Sequence, residues 1–191
     1  HQAFRDFIAE ALEMKDTGFM VTDPKRLAVR YADGPPGLRR MGDPDLVINA
    51  EGQDLFSPGR HFNPRAFQSG GAGGVGTIDD LLLFFEAIRN RGVPILKQEV
   101  WAQAVQNQIG DLPQEESRVG QRFGFLGAVV VDPVAANRPQ AAGSLRWSGI
   151  YGHDWFVDFA NGITAVMMTN TATEGCMGEY PKEVARAIYG S

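Results

Sequence analysis

"RWSGIYGHDWFVDFANGITAVMMTNT", residues 146–171, decides the fold class of this chain. Its aromatic and β-branched residues fall into short runs divided by turn residues, and no helical spacing interrupts them. Asn161-Gly162 is a tight hairpin signal between the last two runs, so those runs pair antiparallel. Upstream, "RFGFLGAVVVD" (122–132) continues the pattern. Downstream, "PKEVARAIYG" (181–190) places Pro181 at a helix start and sets Val184, Ala185 and Ile188 on one face.

Before the sheet the apolar period is helical. Ile78, Leu81, Leu82, Phe85 and Ile88 predict a helix over 78–91 with these residues inward, and "KQEVWAQAVQNQ" predicts another over 97–108. Thr77, with Asp80 three residues on, resembles a capping box, and Asp79 and Asp80 suit the positive helix N-terminus. Phe4, Phe7, Ile8, Ala11 and Leu12 predict a helix over 2–13 with a buried stripe. Between 20 and 68 Pro, Gly and Arg dominate, which predicts an irregular surface excursion or lid-like insertion with short strands at "LAVRY" and "DLVIN". Helices first, then an antiparallel meander, then one packing helix is the order of an α+β fold, not of alternating βαβ units.

Composition removes several function classes. A net charge of −5 and scattered basic residues argue against a nucleic-acid partner. The longest apolar runs, "LLLFF" and "LGAVVV", are far shorter than the roughly 20 residues of a membrane span. Cys176 is the only cysteine, so an internal disulfide is impossible and the compartment stays open; without a nearby histidine it reads as a small buried or loop thiol. Three scattered histidines and one cysteine do not make a metal site, and no cofactor is expected. The first residues lack the pattern of a signal peptide, and a start inside a helix leads us to expect chain upstream.

"SGGAGGVGTIDDLLLFFEAIRNRG" (69–92) contains Gly71-x-Gly73-x-x-Gly76 running into a helix, which spells a dinucleotide fingerprint. That motif needs a buried parallel strand before it and an acidic residue at the end of a second strand about 20 positions on. Here "GRHFNPRAFQ" precedes it, and Glu99 lies in a helical pattern. The glycines are better explained by close backbone approach and freedom of φ in a loop threaded beneath its neighbours.

Taken together, residues 146–171, "EALEMKDTGF" (10–19) and "QSGGAGGVGTIDDLLLFFEAIRNRG" (68–92) resemble, in order, three segments of the serine β-lactamase-like superfamily. The similarity is greatest to class C-like penicillin-recognising hydrolases and related carboxylesterases. It implies helical-lobe elements to about residue 110, then antiparallel strands and a terminal helix over 120–191, all as one C-terminal portion of such a domain. Trp147-Ser148-Gly149 takes the place of the superfamily's Lys-Thr/Ser-Gly strand motif, so the resemblance implies an edge strand lying along the substrate. The backbone N–H of Ile150 then matches an oxyanion-hole donor, Gly149 leaves room for the acyl carbon, and Tyr151 and His153 are candidate pocket residues.

The superfamily's Ser-x-x-Lys and Tyr-x-Asn motifs are absent from this sequence. Thr22-Asp-Pro-Lys25 is the one hydroxyl variant, and its proline forbids a helical presentation. The resemblance therefore implies a C-terminal half whose partners are a small-molecule acyl substrate and either the missing N-terminal half or a second copy, and which is inactive alone. A non-catalytic ligand-binding or interaction module is the alternative, with dinucleotide binding a weaker third. His153 reads as a structural or pocket histidine rather than a base, because the adjacent Asp154 points to the opposite face of a strand. His61, in the irregular stretch, reads as a solvated loop residue. At least one of Trp155 and Phe156 should be core.

Overall fold

The computed structural model describes residues 1–49 and 52–190; Ala50 and Glu51, inside the expected irregular stretch, and Ser191, at the expected C-terminal end, lie outside the described residues. The chain opens with a short turn of helix, α1 (Gln2–Phe4), that widens into a π-helix over Arg5–Ala9. There the amide of Glu10 donates to Arg5 O (3.0 Å) and that of Met14 to Ala9 O (2.9 Å). This five-residue winding rotates the expected stripe out of register. Ala9 and Met14 are buried, whereas Phe7 is 73% exposed and Ala11 is exposed.

The Pro/Gly/Arg stretch is less irregular than expected. β1 (Tyr31–Ala32) and β2 (Arg39–Arg40) pair antiparallel, and β3 (Asp45–Asn49) pairs with β4 (Gly52–Phe56) in a hairpin, Asp45 opposite Phe56. "LAVRY" yields strand only at its last residue, while "DLVIN" is strand throughout. Val47 and Phe56 pack with Ala32 into a small core that also receives Ile150 and Tyr151, so the insertion is fastened to the main body.

α2 (Ile78–Arg89) and α3 (Gln98–Ala104) follow, both shorter than their apolar spacing predicts. Thr77 caps α2, its side chain accepting from Asp80 N at 3.4 Å. Phe85 and Ile88 face inward as expected, with Leu81 partly buried, but Ile78 (46%) and Leu82 (40%) are exposed because Asp80 and Phe84 take the flanks of the buried stripe. Trp101 Nε1 donates to Ile88 O at 2.7 Å, satisfying a carbonyl of the last turn of α2.

The expected meander is a five-stranded antiparallel sheet in sequence order: β5 (Gln121–Phe123), β6 (Ala128–Val130), β7 (Leu145–Gly149), β8 (His153–Asp158) and β9 (Ile163–Met168). The last two are joined by a four-residue loop whose register Asp158 holds, accepting from Asn161 N (3.0 Å) and Asn161 Nδ2 (2.8 Å), with Gly162 at φ +67°. β10 (Thr171–Ala172) leaves this sheet and pairs parallel with β1. α4 (Glu174–Met177) and α5 (Tyr180–Tyr189) complete the chain, and Gly190 ends α5 in the left-handed region.

Strand alternation sorts the sheet into two faces. Leu145 and Val157 pack with Phe85 and Ile88 of α2, and Trp155 stacks on Phe85 at 4.1 Å between centroids. Phe156, Ala165 and Met167 face the other way, against Ala185 and Tyr189 of α5. Trp155 and Phe156 are thus both core residues. Each fully buried large side chain contributes about 1.5–3 kcal/mol, so the helix–sheet–helix sandwich is where most of the stability lies. On α5 the face turned inward is Pro181, Val184, Ala185 and Tyr189; Ile188, expected inward, is 42% exposed. Among the described residues no helix is long and apolar enough to cross a membrane.

Candidate active site

The two glycine-bearing segments of the sequence meet. Gly18, in "DTGF", forms an isolated antiparallel bridge with Val75, in "GAGGVG", through hydrogen bonds of 2.9 and 2.8 Å. A Cβ on Gly76 would lie 2.5 Å from Thr17 Oγ1, and one on Gly73 would lie 2.7 Å from Ser69 O. The glycines therefore serve close approach. Neither feature required of a dinucleotide turn accompanies them, since a 3-10 turn (Pro58–Phe62) and bends precede the loop and the main sheet is antiparallel.

Asp80 locks this junction. Its side chain is buried, and Oδ2 accepts from Asp16 N (2.8 Å) and Thr17 Oγ1 (2.9 Å). Asp80 lies in the first turn of α2 as expected, and it also bridges to a segment more than 60 residues earlier. His61 is a correction. It is 5% exposed rather than solvated, because the Pro58–Phe62 turn tucks it inside and its carbonyl accepts from Val21 N at 3.0 Å. Burial, reinforced by Arg30 and Arg60, holds its pKa below the usual histidine value against a hydrogen bond to the Gly73 backbone, and Nδ1 has no partner. His61 thus sits under the glycine loop.

A cavity of about 540 Å³ opens where this junction faces the sheet. Tyr151 and His153 line it from the turn between β7 and β8, Thr17, Val75 and Gly76 from the junction, and Arg26 and Arg30 from the insertion. His153 stands directly across β7–β8 from Gly149, and a Cβ at Gly149 would come 3.3 Å from its Nδ1. Burial lowers the pKa of His153, favouring the neutral ring. Asp154 lies on the other face, ion-paired with Arg146 at 3.0 Å, so it does not orient the histidine.

The remaining residues expected at the site are dispersed around it. Trp147 shares the α2-side face with Gly149, but its ring packs on Phe123 (5.3 Å between centroids) with the Arg118 guanidinium 5.2 Å above it. Ser148 is opposite Asp154, so alternation turns its side chain to the α5 side, leaving its backbone as the part that can serve the α2-side face. The Ile150 side chain joins the small core of Ala32, Val47 and Phe56. Taken whole, β7 is an interior strand, which corrects the expected edge. β6 pairs only with Leu145 and Arg146, however, so among the described residues the strand from Trp147 to Gly149 has a partner on the β8 side alone. The local edge arises because β6 is shorter than β7.

The Tyr151 hydroxyl accepts from Ser57 N at 3.3 Å, and its ring meets Phe56 edge-on at 4.8 Å. Burial raises the Tyr151 pKa. Cys176 is buried, its thiol pushed up to about 11 by desolvation, consistent with an inert group. Sequence reasoning missed Arg26 and Arg30. Their only signal was the density of arginine in "DPKRLAVRY", which carries no periodicity to place them.

A family model described as Beta-lactamase matches residues 1–187. Esterase EstB of Burkholderia gladioli is 43% identical over 185 residues, which are 95% of this chain and 47% of the esterase. The structure of EstCE1, described as a hydrolase with promiscuous acyltransferase activity, superposes at TM-score 0.92 with 38% identity, over 99% of this chain and 50% of that one. The unliganded structure of Simvastatin Synthase (LovD) from Aspergillus terreus shares the fold at TM-score 0.70 and 15% identity, over 99% of this chain and 48% of its own. This chain spans about half the length of these relatives.

Proposed function

The chain belongs to the β-lactamase family, and from that premise we propose that it is the C-terminal half of a serine hydrolase working by acyl-enzyme chemistry on a carboxylic ester, a β-lactam or a D-amino-acid peptide. The observation that supports this most directly is convergence. The "DTGF" segment, the glycine loop and the turn between β7 and β8 surround one cavity although they are far apart in sequence.

In this reading a serine hydroxyl from the preceding half attacks the substrate carbonyl, the alcohol or amine departs with a proton, and water then cleaves the acyl-enzyme. Trp147 to Gly149 line the acyl group along the half-open edge of β7, where a backbone can receive it as an added strand would. Ile150 N–H points to the oxygen that gains charge in the tetrahedral intermediate, an interaction of about 3 kcal/mol when well aimed. Gly149 keeps the approach clear, and Tyr151 and His153 shape the pocket. No cofactor or metal is invoked.

The chain lacks Ser-x-x-Lys and Tyr-x-Asn, so alone it does not form an acyl-enzyme. The test is a nitrophenyl acetate assay with mass spectrometry: the parent protein gives a burst and one acylated serine, and this chain gives neither. Stoichiometric acylation of a specific serine in this chain overturns the half-enzyme reading. The same absence favours, as a second reading, a ligand-binding module that has kept the groove without the chemistry. The coding sequence upstream of His1 separates them, since a frame encoding both motifs supports the enzyme and a start codon or an unrelated domain supports the module.

A further inference from the structure

The charge lining the cavity is one-sided. Among the described residues its titratable side chains are Arg26, Arg30, Tyr151 and His153, and no carboxylate lines it, in a chain whose net charge is −5. The two arginines differ in what they hold. Arg26 is engaged by Asp16 through bonds of 2.5 and 2.8 Å. Arg30 is half-buried, and among the described residues its guanidinium makes no hydrogen bond and no ion pair; Asp43 acts on it only from beyond ion-pair distance.

A partly desolvated cation without a partner is costly and is best completed by an anion. A guanidinium fork suits a carboxylate, which can take two parallel N–H donors. Nearby, the Tyr151 hydroxyl accepts from Ser57 N and so keeps its own proton to donate. Thr169 and Asn170 also line the cavity, but they are committed to the carbonyls of Gly152 (2.7 Å) and Val29 (2.6 Å). Leu27, Val75, Leu81 and Met168 supply an apolar wall.

We propose that Arg30, seconded by Tyr151, is a specificity-determining residue that selects esters carrying a carboxylate on an otherwise apolar group. The inference rests on the hydrolase reading for its substrate class. Binding and turnover are therefore measured separately, on the full parent chain.

For turnover, the 4-nitrophenyl monoester of adipic acid is compared with 4-nitrophenyl hexanoate, placing the charge on the acyl side. 4-Acetoxybenzoate is compared with 4-methylphenyl acetate, placing it on the leaving group. One pair shows a preference for the charged member of at least tenfold in kcat/KM, carried mainly by KM, and that pair identifies the side bound. R30Q removes the preference and R30K keeps part of it. For binding, adipate itself is titrated calorimetrically, and R30Q weakens it at least tenfold. Should R30Q fail to fold, R30K and the wild-type loss of adipate affinity on raising ionic strength about tenfold decide the matter. Absence of preference in both pairs overturns the proposal, as does adipate affinity indifferent to R30Q or to salt. If no ester is turned over, the hydrolase reading fails while adipate binding still tests the subsite.

Discussion

At the scale of single residues, the glycine loop is the most exacting feature. A Cβ on Gly73 would press on backbone atoms of Ser69 at 2.7 and 2.9 Å, which cannot swing aside as a side chain could. Gly73→Ala is expected to lower stability by about 1–3 kcal/mol, as overpacking does, and a denaturant melt measures it. Gly71→Ala meets only Ser69 Oγ at 3.7 Å and serves as the tolerated control. If the two variants melt alike, close approach is not what these positions require. Asp45 offers a pH test. The Arg39 guanidinium, then the Gly42 amide, hold its carboxyl down at about 2 from 3.8. A depressed acid contributes stability above its unfolded value that is lost as pH falls through the folded one, so the window is about pH 4 down to about 2. Over that window the wild type should lose melting temperature faster than Asp45→Asn, and parallel curves would contradict the assignment.

At the scale of elements, β7 and β8 are held by more than their ladder. Arg146 and Asp154 pair across them at 3.0 Å with side chains only 12% and 4% exposed. Burial raises Asp154 to about 6 even against Arg146 and Arg138, so desolvation outweighs the pairing. In an acid so raised, the folded state keeps a proton that the unfolded chain has lost, and its contribution declines as pH rises from about 4 to about 6. Arg146→Met strands this carboxylate and should cost about 3–5 kcal/mol at pH 8. The loss should be smaller at pH 5, where Asp154 can stay protonated; an equal loss at both pH values in urea melts would show that the carboxylate is not the group responsible. The antiparallel meander was legible in the sequence, though not its division into five strands, because turn residues punctuate β-branched runs and a strand's period survives whatever lies on either side of it. The N-terminal stripe was not, since a π turn leaves no mark in composition yet moves Ala9 and Met14 inward and Phe7 out. Of the residues that line the cavity, Tyr151 and His153 are ones the sequence had already singled out, through a motif confined to one turn. Arg30, His61 and the buried role of Asp80 were not legible, because each depends on a segment distant in sequence meeting another.

At the scale of the whole molecule, the order β5-β6-β7-β8-β9 leaves β9 at one margin of the sheet, and among the described residues no further strand pairs with its outer side. β9 reads "ITAVMM", with no charged residue to discourage another strand from adding there. Large apolar side chains are also exposed elsewhere, Phe67 at 82% and Phe125 at 73% among them. In the proposed half-enzyme, the N-terminal part supplies the strands and surfaces that cover such features. Expressed alone, this chain should therefore self-associate at micromolar concentration, visible as concentration-dependent sedimentation. Co-expression with the preceding half of the parent should replace those species by a one-to-one complex that forms an acyl-enzyme with nitrophenyl acetate. A strictly monomeric chain that gains neither a partner nor activity on co-expression would favour the self-sufficient binding module instead, because then the open β9 margin is a finished edge rather than a surface awaiting its other half.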